Sequence, residues 1–249
     1  MFKYLLLGIT QGLTEFFPVS SSGHLVLLQQ ILQIKEQQLF TIVILHSATL
    51  LAMVIYFFKD ILRAIKDLRL VINILVTTFI TGIIAILWKD FFTRTFSSLK
   101  MLAVSFLVTG LILLLTKRIK RGEKGIKEIT LTDAFILGVT QAIAIIPAIS
   151  RSGITISALL FRKVDKEAAF KFSFLASIPA VAGAFILEMK EINFNFSFFQ
   201  PQILWGFFSA LIFGLISLYV LKTALKKAKF HYFGYYCIII AVLSWIFLK

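Results

Sequence analysis

The chain has 249 residues with a formal net charge of +14, and 59% of its residues are hydrophobic. Its mean hydropathy is +0.94. An average soluble domain is about 45–50% apolar, so this composition excludes a disordered chain and argues against a soluble globular domain. The single cysteine, Cys237, excludes an internal disulfide and a multi-cysteine metal site. We therefore predict an all-α polytopic membrane protein that forms a single domain over residues 1–249.

The predicted elements alternate between interrupted and continuous apolar stretches, since a membrane span needs about 20 mostly apolar residues. In chain order they are an interrupted region (Met1–Leu32), three spans (Phe40–Phe58, Leu70–Trp88, Leu99–Thr116), a second interrupted region (Leu131–Phe161) and three further spans (Ala168–Leu187, Ile203–Leu221, Phe230–Leu248). The sequence thus predicts six transmembrane helices.

Each interrupted region contains a proline followed by serine and glycine, a pattern that breaks a helix. The first break reads QGLTEFFPVSSSGH (Gln11–His24) and the second reads TQAIAIIPAISRSG (Thr140–Gly153). Broken backbone at membrane depth is tolerated only where protein or a water-filled cavity surrounds it. We predict two re-entrant helix pairs; the alternative is a kinked helix that passes straight through the membrane at each place.

An internal repeat relates the two interrupted regions and the spans that follow them. Shifting the sequence by 130 residues matches Gly8/Gly138, Thr10/Thr140, Gln11/Gln141, Ser20/Ser150, Ser22/Ser152, Gly23/Gly153, Phe40/Phe170, Leu45/Leu175, Ser47/Ser177 and Ala52/Ala182, while Pro18/Pro147 is out of step by one residue. The sequence therefore predicts two repeat units, residues 1–118 and residues 131–249.

Basic residues predict the orientation of the chain. The segments Lys59–Arg69, Lys117–Ile129, Arg162–Lys171 and Lys222–Lys229 hold 18 Lys and Arg residues, against 7 in the loops and termini of the other side. This positive-inside bias puts the four segments in the cytoplasm and both termini outside. Three spans in each unit then invert the second unit relative to the first, and such repeats bring their broken segments together near the bilayer midplane. Because the basic residues lie in these short loops, we expect no nucleic-acid partner.

The first break carries candidate catalytic groups. Gln11 and Glu15 share one helix face at i, i+4 spacing, and a carboxylate inside a membrane segment is a functional candidate by default. Ser20, Ser21 and Ser22 offer hydroxyl groups at a helix start, where anions bind. His24 suits a general acid, base or nucleophile. The structural alternatives are a buried ion pair for Glu15 and a serine N-cap beside a hydrogen-bonded histidine.

The second break carries a candidate phosphate site. Arg151 is flanked by Ser150, Ser152 and Thr155, and its guanidinium matches the geometry of a phosphate group. An anionic partner is needed in the membrane interior, and Glu15 alone could supply it. His46, within a predicted span, either hydrogen-bonds to a neighbour or belongs to this site.

At these residues the chain resembles the undecaprenyl-diphosphate phosphatases, also called BacA or UppP, over essentially its full length. The matching motifs are (E/Q)xxxE…PxSSSGH from Gln11 to His24, PGxSRSGxT from Pro147 to Thr155, and LHSATLLAMVIYF from Leu45 to Phe57. Two departures are Ala148 in place of the motif glycine and Gln11 at a position that is often glutamate.

This resemblance implies hydrolysis of undecaprenyl diphosphate to undecaprenyl phosphate and inorganic phosphate in the bacterial cytoplasmic membrane, with a site facing outward. It implies a divalent cation, Mg²⁺ or Ca²⁺, with Glu15 and Gln11 as its candidate ligands. It also implies resistance to bacitracin, which competes only for the substrate. Surrounding membrane lipid is the other expected partner, and a homodimer is one option for the assembly.

Several alternatives stay open on the sequence. The attacking group is Ser21, His24 or a metal-bound water. A transporter of polyprenyl phosphates would share the inverted-repeat architecture, and a scaffold would leave the intramembrane charges unexplained. A second lipid-phosphatase type with an SRx5H motif does not fit, because Ser157 stands seven residues after Ser150 where that motif needs histidine.

Overall fold

A computed structural model describes residues 1–32, 38–96, 99–119, 122–191 and 200–247. Within those ranges the backbone forms twelve α-helices, two 3₁₀ turns at Thr116–Arg118 and Ile126–Glu128, and no β-strand. The helices are α1 (Phe2–Phe16), α2 (Ser21–Ile31), α3 (Gln38–Tyr56), α4 (Phe58–Ala64), α5 (Leu68–Leu87), α6 (Lys89–Phe96), α7 (Leu99–Leu115), α8 (Leu131–Ile143), α9 (Arg151–Phe161), α10 (Lys166–Glu191), α11 (Ile203–Lys226) and α12 (Tyr232–Phe247).

The predicted all-α membrane architecture is confirmed. Two of the six predicted spans differ from a single straight helix of full length. In the described part of the chain, four helical stretches are long and apolar enough to cross a bilayer: Leu68–Leu87, Lys100–Arg118, Lys166–Lys190 and Ile203–Lys226. The first predicted span is bent by 69° between α3 and α4. The last, α12, has 16 residues and falls short of the length of a straight span.

The helices of both interrupted regions are short. They have 15 and 11 residues in the first region and 13 and 11 in the second. None of these four reaches the roughly 20 residues that a span requires. Their lengths are those of helices that enter the membrane and turn back at the break.

Each hairpin packs its first helix against a long helix of the other predicted unit. Hydroxyls of α11 donate to backbone carbonyls of α1, from Ser209 to Leu5 at 3.4 Å and from Ser217 to Gly12 at 2.8 Å. The same relation joins α5 to α8, where Thr77 donates to Ala134 at 3.0 Å and Thr81 to Gly138 at 3.1 Å.

In both cases the residue numbers rise together, so each pair of helices is parallel. The start of α1 therefore lies at the same end of the molecule as the start of α11, and the start of α8 lies with the start of α5. This reciprocal packing is the arrangement that two inverted units produce. The boundaries of the two units, residues 1–118 and 131–249, stay a prediction.

Ion pairs join the four basic segments that the charge pattern predicts to be cytoplasmic. Asp60 pairs with Lys171 at 3.5 Å, and Glu167 pairs with Lys222 and Lys226, each at 3.7 Å. The buried carboxylate of Asp133 binds Lys124 at 3.2 Å and Arg162 at 2.8 Å. The four segments thus form one face of the molecule.

Candidate active site

The first break is a short turn that ends in a helix cap. The helix α1 ends at Phe16, and Ser20, with a φ of 67°, caps α2 by accepting a hydrogen bond from the Gly23 amide. A positive φ is strained for a residue other than glycine. Strain of this kind concentrates at functional sites, where the surrounding structure holds it in place.

The second break is longer and is held by a neighbouring helix. The helix α8 ends at Ile143, and Ser150 caps α9 through the Gly153 amide. On α7, the Thr109 hydroxyl donates to the Ala148 carbonyl at 3.2 Å and accepts from the Ser150 amide at 3.1 Å. Ala148 has a φ of 64°, which explains why a motif of this kind favours glycine there.

The two breaks touch each other. The Ser22 hydroxyl accepts a hydrogen bond from the Ala148 amide at 3.4 Å. A methyl group added at Gly153 would lie 3.3 Å from Cβ of Pro18, so the two turns are in van der Waals range. The amino-terminal ends of α2 and α9 therefore converge. Helix amino termini carry partial positive charge and free amide groups, which makes this junction suited to an anion.

Glu15 lies at the centre of a polar network between the two breaks. One carboxylate oxygen, Oε1, binds the guanidinium Nη2 of Arg151. The other, Oε2, accepts from the Ser21 hydroxyl at 2.5 Å and from Nε2 of Gln11 at 3.1 Å. Side-chain exposure is 6% for Glu15 and 29% for Arg151. The carboxylate is thus enclosed, while the guanidinium reaches the surface of the site.

Two residues of α3 extend this network on its buried side. Gln11 also donates to the Thr49 hydroxyl at 3.3 Å, and its Oε1 atom has no hydrogen-bond partner among the described residues. His46, one turn before Thr49, is close enough to act electrostatically on Glu15. Thr49 is not among the site residues predicted from the sequence. Its position one turn after His46, in the stretch that resembles the phosphatase family, is the signal that could have found it.

His24 contacts Tyr236 on α12, whereas Glu15 contacts Arg151 and Ser21. Its Nδ1 lies 2.7 Å from the Ser20 carbonyl oxygen, and its Nε2 lies 2.8 Å from the Tyr236 hydroxyl oxygen on α12. The edge of the Phe106 ring meets the imidazole at a centroid distance of 5.3 Å. The structure therefore brings Glu15, Ser21 and Arg151 into direct contact and holds His24 beside them, bonded to Tyr236.

The remaining predicted phosphate ligands are engaged near the helix starts. The Ser20 and Ser22 hydroxyls are 3.2 Å apart, and those of Ser150 and Ser152 are 3.4 Å apart. Thr155 donates to the Arg151 carbonyl at 2.6 Å and bonds to the Ser173 hydroxyl. Its side chain thus supports α9 from within, and its role toward phosphate stays a prediction.

The oxygen donors near Glu15 fit a divalent cation in part. A buried carboxylate and an amide oxygen without a partner are the kind of ligands that Mg²⁺ and Ca²⁺ accept. The described residues contain no group of three or more His, Cys, Asp or Glu that could hold a metal ion. Mg²⁺ commonly binds through one or two carboxylates together with substrate phosphates and water. Glu15 and Gln11 would therefore supply part of the ligand set of such an ion, and the cation stays a prediction.

The bundle of apolar helices is that of a multi-pass membrane protein. Both halves of its chain contribute to the polar junction, which contains a buried carboxylate, an arginine and two converging helix starts. The sequence matches the family described as "Bacitracin resistance protein BacA" over residues 4–243. The chain belongs to this family.

Its relatives match over nearly their whole lengths. The chain is 45% identical to an undecaprenyl-diphosphatase of Carboxydothermus hydrogenoformans over 248 residues, which cover 97% of this chain and 95% of the relative. It is 40% identical to an undecaprenyl-diphosphatase of Thermotoga maritima over 242 residues, with 97% and 98% covered. It is 42% identical to undecaprenyl-diphosphatase 4 of Bacillus thuringiensis over 235 residues, with 93% and 91% covered.

Proposed function

We propose that the protein hydrolyses undecaprenyl diphosphate to undecaprenyl phosphate and inorganic phosphate. The observation that carries this proposal is the contact of Glu15 with both Arg151 and Ser21 where two helix starts meet. The names of the relatives support the substrate, and membership of the BacA family supports a role in bacitracin resistance. The product would return to peptidoglycan synthesis as the lipid carrier.

Arg151 would bind the diphosphate. Within the described residues Glu15 is the one acceptor bonded to its side chain, and a guanidinium has five N–H donors. The unused donors can bind phosphate oxygens in a planar, two-pronged contact. The amino termini of α2 and α9 add positive potential on the same side. As negative charge shifts toward the bridging oxygen, these fixed groups stabilise the transition state.

Ser21 would attack the terminal phosphorus. A nucleophilic hydroxyl is recognised by a base within hydrogen-bond distance, and the Ser21 hydroxyl lies 2.5 Å from Glu15. Attack forms a bond between the serine oxygen and phosphorus and breaks the bond from phosphorus to the bridging oxygen. The serine proton passes to Glu15 and from there to the leaving undecaprenyl phosphate, which restores the Glu15 carboxylate.

Water would complete the reaction. Glu15 takes a proton from the attacking water as the bond from the water oxygen to phosphorus forms. It gives that proton to the serine oxygen as the bond from the serine oxygen to phosphorus breaks. One water is consumed, one inorganic phosphate is released and Ser21 is restored. A divalent cation held by Glu15 and Gln11 would neutralise phosphate charge when bound.

The proposed location is the cytoplasmic membrane of a bacterium, with the site open to the outer face. The charge pattern supports this orientation, since the four basic segments share the face opposite the starts of α1 and α11. A substrate that carries a long prenyl chain can remain in the bilayer while its diphosphate reaches the helix junction.

Phosphate release by the purified protein in detergent tests the proposal, because no transport is possible without a membrane. We expect inorganic phosphate from undecaprenyl diphosphate, and a loss of release in Ser21→Ala. Ser47→Ala is the matched control, since the Ser47 hydroxyl bonds to the Ile44 carbonyl within α3. Activity should also fall on chelation and return with Mg²⁺ or Ca²⁺.

Incubation with substrate labelled on its terminal phosphate identifies the nucleophile. The proposal expects label on Ser21 in the parent protein after quenching with denaturing detergent at neutral pH, where phosphoserine and phosphohistidine both persist, and none in Ser21→Ala. Label on His24 would contradict the assignment of Ser21 and leave the hydrolysis intact. A folded protein that releases no phosphate in detergent and carries polyprenyl phosphate across vesicles would contradict the phosphatase and identify a carrier.

A further inference from the structure

His24 is bonded through both of its ring nitrogens. The acceptor at Nδ1 is the backbone carbonyl of Ser20, at 2.7 Å, and the neighbour at Nε2 is the Tyr236 hydroxyl, at 2.8 Å. The imidazole and phenol rings are nearly parallel, with an angle of 8° between their planes. A third ring, that of Phe106, meets the imidazole edge-on.

These partners restrict the protonation of the ring. A carbonyl oxygen can only accept a hydrogen bond, so Nδ1 must carry a proton. In a neutral imidazole the second nitrogen is then an acceptor, and a tyrosine hydroxyl can donate to it. The contacts exclude the neutral form with its proton on Nε2, because that form would leave Nδ1 facing the Ser20 carbonyl with two lone pairs opposed.

Tyr236 is itself fixed against the first break by its own helix. The next residue of α12, Cys237, is fully buried and its thiol lies 3.5 Å from the Pro18 carbonyl oxygen. One turn earlier, the ring of Phe233 packs on Phe17 at a centroid distance of 5.2 Å. Two neighbours of Tyr236 on α12 thus contact the turn just before Ser20, and these contacts help to set the position of Tyr236 relative to His24.

We propose that Tyr236 is a positioning residue that holds His24 as a neutral ring protonated on Nδ1, with its Nε2 atom facing the Tyr236 hydroxyl. This proposal deepens the proposed function and rests on it for the catalytic consequence. Tyr236 comes from the second predicted unit, so that unit would supply both Arg151 and the group that orients the histidine of the first unit. Removing the hydroxyl takes away one of the two contacts that hold the ring. The ring can then turn away from the Ser20 carbonyl, and once that contact is lost Nε2 can take the proton.

Nitrogen-15 NMR of the full-length protein in detergent shows directly which nitrogen of the His24 ring carries a proton. With ¹⁵N-labelled histidine, long-range ¹H–¹⁵N correlations distinguish the two neutral forms from the cation, and His24→Asn assigns the signal among three histidines. We expect Nδ1-protonated His24 in the parent at pH 8 and a change toward the Nε2-protonated form in Tyr236→Phe. Tyr235→Phe is the matched control, because Tyr235 is the neighbouring tyrosine of α12 and its ring contacts that of Tyr232.

Phosphate release by the same variants tests the consequence. We expect kcat of Tyr236→Phe to fall roughly 10- to 100-fold with KM little changed. This is part of the roughly 10²–10⁴-fold contribution of a general acid or base, the role predicted for His24. If Tyr236→Phe folds and binds the substrate like the parent, its lower kcat is due to the change at His24.

The NMR signal and the phosphate assay together distinguish a failure of the Tyr236 proposal from a failure of the proposed function. A cationic or Nε2-protonated His24 in the parent would overturn the proposal, as would an unchanged signal or unchanged kcat in Tyr236→Phe. If the parent releases no phosphate, the proposed function fails, and the NMR comparison alone still decides whether Tyr236 fixes the ring. An equal change in Tyr235→Phe would also overturn the inference, since the effect would then belong to the helix as a whole.

Discussion

Glu15 and Arg151 are 136 positions apart in the sequence and form an ion pair between the two broken hairpins. The pair is unequal in its surroundings, because the carboxylate side chain is 6% exposed and the guanidinium side chain is 29% exposed. A buried pair of this kind contributes little net stability, since desolvation of the two charges offsets their attraction. The presence of the pair is better explained by a ligand that the more exposed partner, Arg151, can bind.

Glu15→Gln separates a catalytic role from a structural one. The substitution keeps the size of the side chain and removes its charge, so a base or metal ligand is lost while the network around Ser21 can still form hydrogen bonds. We expect a folded, monodisperse protein whose phosphate release falls by about 10²–10⁴-fold, the contribution of a general base. Size-exclusion chromatography and the phosphate assay measure the two properties.

Glu123→Gln is the matched control for that substitution, because Glu123 is exposed on the opposite, basic face. It should retain full activity. Aggregated Glu15→Gln protein would support a purely structural counter-ion, since removing one partner of a buried pair costs about 3–5 kcal/mol. Folded and fully active protein would remove the Gln11–Glu15 face from the site.

Arg151→Lys should impair the enzyme although the charge is kept. Lysine has no planar fork, so one of the contacts to phosphate is lost. Loss of a charge-assisted contact in a water-poor site should lower kcat by about 10²–10³-fold. Arg63→Lys, at an exposed arginine of α4, is the control and should leave kcat unchanged. Activity of Arg151→Lys within a factor of about three would contradict a phosphate-binding role, since that change is under 1 kcal/mol.

The pairing of Glu15 with Arg151 could be predicted from the sequence because both are ionised groups in apolar segments. Such groups need partners, and the repeat implies that the two breaks meet. The approximate positions of the spans could also be predicted, because a membrane helix needs a run of about 20 mostly apolar residues. The neighbours of these groups could not be predicted, because they depend on how helices far apart in the chain are packed.

His24 and Thr155 illustrate that limit. The partner of His24 is Tyr236, on the last helix, and that of Thr155 is Ser173, on α10. No periodicity or motif in the sequence indicates either contact. The sequence also does not predict the bend of 69° after Tyr56, because the apolar run continues from Phe40 to Phe58 without a proline or glycine.

Close packing of α1 on α11 predicts a sharp difference between two Gly→Ala substitutions. A methyl group at Gly8 would lie 2.1 Å from the Gly206 carbonyl oxygen, whereas one at Gly82 on α5 would have no described atom within 4 Å. Gly8→Ala must push the helices apart, at about 1–3 kcal/mol. Gly82→Ala should be neutral or slightly stabilising, because alanine favours the helix.

Thermal unfolding in detergent measures both variants against the parent. The expected fall in melting temperature for Gly8→Ala is several degrees, since about 2–4 °C corresponds to 1 kcal/mol in a chain of this size. Equal melting temperatures for the two variants would show that the contact between α1 and α11 is looser than the structure has it.

The two ends of α11 test the proposed orientation. Gln202 and Lys227 flank this helix, and both are exposed. If the basic segments are cytoplasmic, Gln202→Cys lies outside and Lys227→Cys lies inside. Only Gln202→Cys should then react with a membrane-impermeant maleimide in intact cells, and both should react after the cells are opened.

The background for this experiment is small and removable. Cys237 is the single native cysteine and is fully buried. The two variants are made in a Cys237→Ala chain, after its phosphate release has been compared with that of the parent. Because α1 runs parallel to α11, labelling at Gln202 also locates the start of α1 at the outer face, and with it the side from which the Glu15 hairpin enters. Labelling of Lys227→Cys alone in intact cells would reverse the orientation and place the entry of that hairpin in the cytoplasm. Labelling of both at equal rates would mean that the chain inserts in two orientations, and the outward-facing site would then hold for only part of the population.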